Sequence, residues 1–176
     1  MSKEYPMLYS PFKLKHLTLK NRIVKPAQWV IYAEPDGSVG ARVIAFYESI
    51  ARGGVGLITV EESICEYPEG ASNIPHIRLD EDRFIPGLSA LAEAIHKYDV
   101  PCFVQITHAG PAHNPAFSGT QPVAPSRLDP PAEPQMAVAR ELTIPEIKGL
   151  VEKYAQAALR VKKAGFDGVE MHMAHY

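Results

Sequence analysis

Four short apolar runs, near residues 23–27, 55–61, 101–106 and 168–172, alternate with stretches of helical spacing, and this alternation constrains the chain more than any other feature. Each run is too short for an ordinary helix. Val55-Gly56-Leu57-Ile58-Thr59-Val60-Glu61 is nearly continuous in apolar residues, as a parallel strand covered on both faces must be. Between the runs, Val43, Ile44, Tyr47, Ile50 and Ala51 recur at helical spacing. So do Phe84, Leu88, Leu91, Ala92, Ile95 and His96, and later Ile147, Leu150, Val151, Tyr154, Ala158 and Val161. Thr143-Ile144-Pro145-Glu146 is a capping box with a proline in the first turn, so the last helix starts there, and Gly165 ends it. Strands alternating with helices predict an α/β fold: a parallel sheet with helices on one face.

The boundaries lie in Pro and Gly. Pro26 has no N–H for a ladder, so the first strand breaks at its carboxyl end. Asp36-Gly37 turns the chain, and Gly53-Gly54 closes the first helix. Upstream, Leu8 to Leu14 and Leu17-Thr18-Leu19 predict a small hairpin laid across the bottom of the sheet. Residues 65–82 read as loop. From His108 to Leu142 the chain carries seven of its sixteen prolines, which predicts a long loop after the third strand, and such loops are usually functional. Residues 1–176 read as one domain.

A formal net charge of −2 gives no electrostatic reason to expect nucleic acid or an anionic membrane, so a small organic molecule is the expected partner. No apolar run approaches the roughly 18 residues a bilayer span requires. Only two cysteines, Cys65 and Cys102, and an N-terminus without a basic segment leading into an apolar run predict the reducing cytoplasm.

Chemistry gathers where the strands stop. In Gly168-Val169-Glu170-Met171-His172-Met173-Ala174-His175, side chains alternate, so Glu170 and His172 share one face. His172 is delivered at the strand's carboxyl end, where parallel α/β folds place their sites, and His175 follows three residues later. The pair admits three readings: metal ligands, structural histidines, or two N–H donors to an anionic oxygen on a ligand. No Cys or Asp pattern supplies further metal ligands, so no metal is expected. Gln105, on the same face as Phe103, bonds neighbouring backbone or a ligand, because an unpaired buried amide costs about 1–3 kcal/mol.

The dinucleotide fingerprint G-x-G-x-x-G and the P-loop are both missing, which weakens an open doubly wound sheet. The alternative is a (β/α)8 TIM barrel, of which four βα units are half. At this point Leu19-Lys20-Asn21-Arg22-Ile23-Val24, Gly56-Leu57-Ile58-Thr59-Val60-Glu61, Gln105-Ile106-Thr107-His108-Ala109-Gly110 and the stretch from Gly165 to His175 carry a resemblance. In order and spacing they look like the N-terminal half of the Old Yellow Enzyme family, FMN-dependent NAD(P)H:flavin oxidoreductases and ene-reductases built as (β/α)8 barrels.

That resemblance implies FMN as cofactor, NADH or NADPH as hydride donor, and an enone or enoate as substrate. It places Pro26, Ala27, Gln28, Trp29, Glu62 and Gln105 against the flavin, with the Gln105 amide at the pyrimidine edge. His172 and His175 would hold the substrate's carbonyl oxygen. The chain departs from the pattern at Trp29, where relatives carry a small Thr or Cys, and at Glu62, where a small residue is usual. Pro111 replaces a common Arg, and Tyr176 replaces a Gly. The family's tyrosine proton donor and flavin-phosphate loops would fall beyond residue 176, so these residues alone are expected not to turn over. Two alternatives stay open: a non-catalytic half-barrel that assembles with a complementary chain or with its own copy as a homo-oligomer, and a piece of a longer enzyme.

Overall fold

The computed structural model describes residues 4–72, 75–131 and 133–175. It opens with a hairpin, β1 (Phe12–Leu14) against β2 (Leu17–Leu19), antiparallel with Phe12 opposite Leu19. The main chain of elements follows: β3 (Val24–Lys25), α1 (Ala41–Arg52), β4 (Leu57–Ile64), β5 (Ile77–Arg78), α2 (Ile85–His96) and β6 (Cys102–Thr107). Then come a one-turn helix α3 (Pro115–Ser118), β7 (Val123–Ala124), β8 (Arg140–Glu141), α4 (Ile144–Lys163) and β9 (Gly168–Met171). The strands β3, β4, β6 and β9 lie side by side in that order and every pairing is parallel, as the alternation predicts.

One face of the sheet is a dry core. Ile58 and Val60 of β4 and Cys102, Val104 and Ile106 of β6 pack in one cluster with Tyr47 of α1, Leu88, Leu91 and Ile95 of α2, and Ala157 and Val161 of α4. The predicted stripe of α4 needs one correction: Val151 is 64% exposed, and Ala157 takes the buried position instead. The capping box forms as read, with Glu146 Oε2 accepting the Thr143 amide at 2.8 Å. Gly165 leaves α4 with φ of +93°, a conformation that costs a side-chain-bearing residue strain. Gly168 then lets β9 close on β6, since a Cβ there would meet the Phe103 ring at 2.7 Å.

Asn21 explains the start of the sheet. Its Oδ1 accepts the Ile23 amide at 3.0 Å while its Nδ2 donates to the Gly54 carbonyl at 2.7 Å, joining β3 to the turn before β4. The reading of 65–82 as loop is corrected by β5, which pairs in parallel with the end of β4, Ile77 opposite Ser63. The segment 108–142 contains α3 and a parallel pair, β7 with β8, so its prolines space short elements.

Candidate active site at the carboxyl end of the sheet

A bulge in β4 decides which carboxylate faces the site. Thr59 stands opposite Phe103 and Val60 opposite Val104; the ladder then skips Glu61 and sets Glu62 opposite Gln105. A bulge of this kind re-aims every later side chain. Glu62 and Gln105 therefore share the face turned away from the helices. Glu61 is fully buried, and its Oε2 accepts the Val30 amide at 2.8 Å, which fastens the loop after β3. Burial pushes the Glu61 carboxyl up to about 7, against the opposing pull of the Val30 N–H and of Lys25.

Gln105 stands opposite Glu170 and its Nε2 donates to Glu170 Oε1 at 2.5 Å. One residue past β9, the His172 amide still donates to the Ile106 carbonyl at 3.0 Å, which fixes that side chain at the sheet's end. His175 turns back with φ of 64°, bringing its Nδ1 to 3.0 Å from His172 Nε2. One of these nitrogens donates and the other accepts. The two imidazoles thus bond each other, where the sequence predicts two donors converging on a ligand.

Ala27, Gln28, Trp29, Glu62, Gln105, His172 and His175 line one lobe of a cavity, about 320 Å³ in volume. These are the residues singled out in the sequence, with the exception of Pro26, which is exposed and whose carbonyl accepts the Lys25 ammonium at 2.8 Å. A second lobe of about 200 Å³ shares Trp29, Glu62, His172 and His175 and adds Ser72, His76 and His108. No lysine or arginine lines either lobe among the described residues. Pro111 is buried in a short turn where the family resemblance would have an arginine. Tyr176 lies outside the described residues.

His76 belongs to the site, and sequence reading left it in a loop. The pairing of Ile77 with Ser63 sets His76 beside Glu62, and its ring stacks on the Trp29 indole, centroids 4.6 Å apart and 4° from parallel. Its Nε2 bonds Ser72 Oγ at 2.7 Å, and burial pushes its pKa down to about 4, so the ring is neutral at pH 7. The signal in the sequence was slight: a histidine opening the alternating run His76-Ile77-Arg78-Leu79. The buried nitrogens Trp29 Nε1 and His76 Nδ1 have no hydrogen-bond partner. A cavity wall holding an amide, two unpaired ring nitrogens and a histidine pair fits a flat ligand with polar edges, as the isoalloxazine of FMN is.

At the opposite end of the sheet, His96, Cys102 and Asp167 place their ligand-type atoms within 4.8 Å of one another. Asp167 Oδ2 is already shared between His96 Nε2 and the Cys102 amide, each at 2.8 Å, and burial raises the pKa of the Cys102 thiol, which keeps it protonated. A metal must displace all of these, so the group is a clasp between α2, β6 and β9.

Comparison with known proteins identifies the family. The sequence model of the NADH:flavin oxidoreductase / NADH oxidase family matches residues 7–176. The chain is 44% identical to the NADH oxidase of Thermoanaerobacter brockii over 172 residues, which is 97% of this chain and 26% of that protein. It is 35% identical to the cinnamate reductase of Clostridium sporogenes, covering 99% of this chain and 27% of the relative. Among solved structures, it superposes on the Old Yellow Enzyme homologue of Zymomonas mobilis with a TM-score of 0.83 at 30% identity, over 94% of this chain and 48% of that one. For morphinone reductase in complex with tetrahydroNAD the TM-score is 0.86 at 30% identity, over 96% and 50%. The chain thus spans between about a quarter and a half of the length of these relatives. No helix among the described residues is long and apolar enough to cross a membrane.

Proposed function

Because the chain belongs to the NADH:flavin oxidoreductase / NADH oxidase family, we propose that it is the first half of a (β/α)8 barrel that reduces the activated C=C of an α,β-unsaturated carbonyl compound. The cofactors of that family are FMN and, as hydride donor, NADH or NADPH, as the sequence leads one to expect. When bound, FMN would supply the redox chemistry, a hydride relay between the nicotinamide and the acceptor. The residues of this chain supply the rest. Gln105, whose amide bonds Glu170 at 2.5 Å, would hold the polar edge of the flavin, with Ala27, Gln28, Trp29 and Glu62 around it; their shared lobe supports this reading. His172 and His175 donate N–H groups to the acceptor's carbonyl oxygen. Those bonds draw electron density from the double bond and strengthen as charge develops on the oxygen.

The observation that carries this reading is the wall on which His172 and His175, 3.0 Å apart, share one lobe with Gln105. As negative charge develops on the ligand oxygen it becomes a stronger acceptor than the second imidazole, so bonds to it replace the bond between the rings. In the FMN-loaded complete barrel, of which this chain is the proposed first half, replacing His172 or His175 by Ala should slow reduction of a neutral enone by about 10²–10³, as loss of an oxyanion donor does elsewhere. Enone reduction by the double variant at the parent's rate would remove the histidines from the reaction.

A further inference from the structure

We propose that Glu62 makes this site select against acceptors bearing a free carboxylate, in favour of neutral or cationic unsaturated carbonyl compounds; this rests on the reading of the lobe as the acceptor site. The β4 bulge turns the Glu62 carboxylate into both lobes of the cavity. It makes no hydrogen bond among the described residues: His172 Nε2 stands 3.7 Å and His76 Nδ1 3.9 Å from its oxygens. His76 is held uncharged by burial and so does not neutralise it, and His172 Nε2 is hydrogen-bonded to His175.

The surroundings add to the negative field. Glu170 flanks Gln105, the residue across from Glu62. With no lysine or arginine on either lobe among the described residues, a ligand carboxylate finds no cation except a protonated imidazole, and Glu62 matches that charge. A neutral carbonyl oxygen carries no full charge for Glu62 to repel, and a cationic substituent gains from Glu62. Like charges at this range repel strongly in a partly buried site, where screening is weak. The unpaired Nδ1 of His76, on a residue only 5% exposed, marks the wall beside Glu62 as one that faces a ligand.

Calorimetric titration of the FMN-loaded protein with benzamide, benzoate and benzamidine compares a neutral, an anionic and a cationic ligand of one shape. The parent should bind benzoate at least about tenfold more weakly than benzamide, and benzamidine no more weakly than benzamide. Glu62→Gln should bring benzoate within about threefold of benzamide. These are ratios between ligands on one protein, so any general effect of the substitution on folding or flavin loading cancels. Equal affinity of the parent for benzoate and benzamide overturns the proposal, as does binding of neither. So does a ratio unchanged in both Glu62→Gln and Glu62→Ala. Enone turnover by the complete FMN-loaded barrel separates the two readings: charge selection without turnover keeps the role of Glu62 and removes the reductase, and turnover without charge selection does the reverse.

Discussion

His96 with Asp167 at the amino end of the sheet, and His172 with Glu62 at its carboxyl end, are the same pair of chemistries held in opposite ways. At the amino end, Asp167 Oδ2 lies 2.8 Å from His96 Nε2 and accepts the Cys102 amide at 2.8 Å, so each group has its partner within the protein. At the carboxyl end, Glu62 stands 3.7 Å from His172 and 3.9 Å from His76, hydrogen-bonded to neither, and two buried ring nitrogens beside it go unpaired. A buried polar group left without a partner costs free energy, and proteins keep such costs where a ligand will meet them. The closed end fastens three elements together; the open end leaves its donors for something else.

Breaking the closed end should have the largest effect on stability. Asp167→Ala leaves His96 without its carboxylate and orphans the Cys102 N–H, which should lower the unfolding free energy by about 3 kcal/mol in urea titrations, with partial exposure taken into account. Glu62→Gln, with no hydrogen bond to lose, should change it by no more than about 0.5 kcal/mol. Equal losses in the two variants would erase the distinction between the ends.

The pH dependence sharpens the same contrast, because two buried groups under the open end titrate in opposing senses. Glu61 holds its proton more tightly when folded, at about 7 against 4.5, so stability falls as pH rises through that window. His76 holds its proton less tightly, at about 4 against 6.5, so stability is lost as pH falls from 6.5 toward 4. Each amounts to about 3 kcal/mol over its window, and between 4.5 and 6.5 they oppose. Glu61→Gln should expose a rise in stability with pH, and His76→Asn a fall. Three parallel profiles, the parent's included, would contradict both assignments. A smaller effect is expected at Gln105. Its replacement by Leu should weaken FMN binding by about 1–2 kcal/mol in a flavin fluorescence titration, and an unchanged affinity would take Gln105 off the flavin edge.

The strands and helices were legible because apolar periodicity reports burial on the helix face, where Val60, Val104 and Leu91 sit at 0% exposure. β4 runs on through Glu61-Glu62-Ser63 to Ile64 because a bulge lets a polar stretch keep its ladder, and no local pattern announces a bulge. The two residues of β5 exist only through their pairing with β4, so His76, which that pairing brings to Glu62, could not be read from its neighbours. Val151 fits the helical period and still points to solvent, because period alone does not fix where the stripe meets the sheet. In the site, the three-residue spacing of His172 and His175 foretold their proximity. Their mutual hydrogen bond depends on the positive φ of His175, which the sequence Met173-Ala174-His175 does not display.

The distinction between the ends is tested most directly by following the ring nitrogens of individual histidines by NMR while the FMN-loaded protein is titrated with 2-cyclohexenone, a neutral carbonyl ligand. Binding should shift the ring nitrogens of His172 and His175 as the bond between them is exchanged for bonds to the ligand oxygen, and should leave His96 unmoved against Asp167. Binding that leaves His172 and His175 unmoved, or that shifts His96 as much as either, would contradict the assignment of the carboxyl end as the site and the amino end as the clasp.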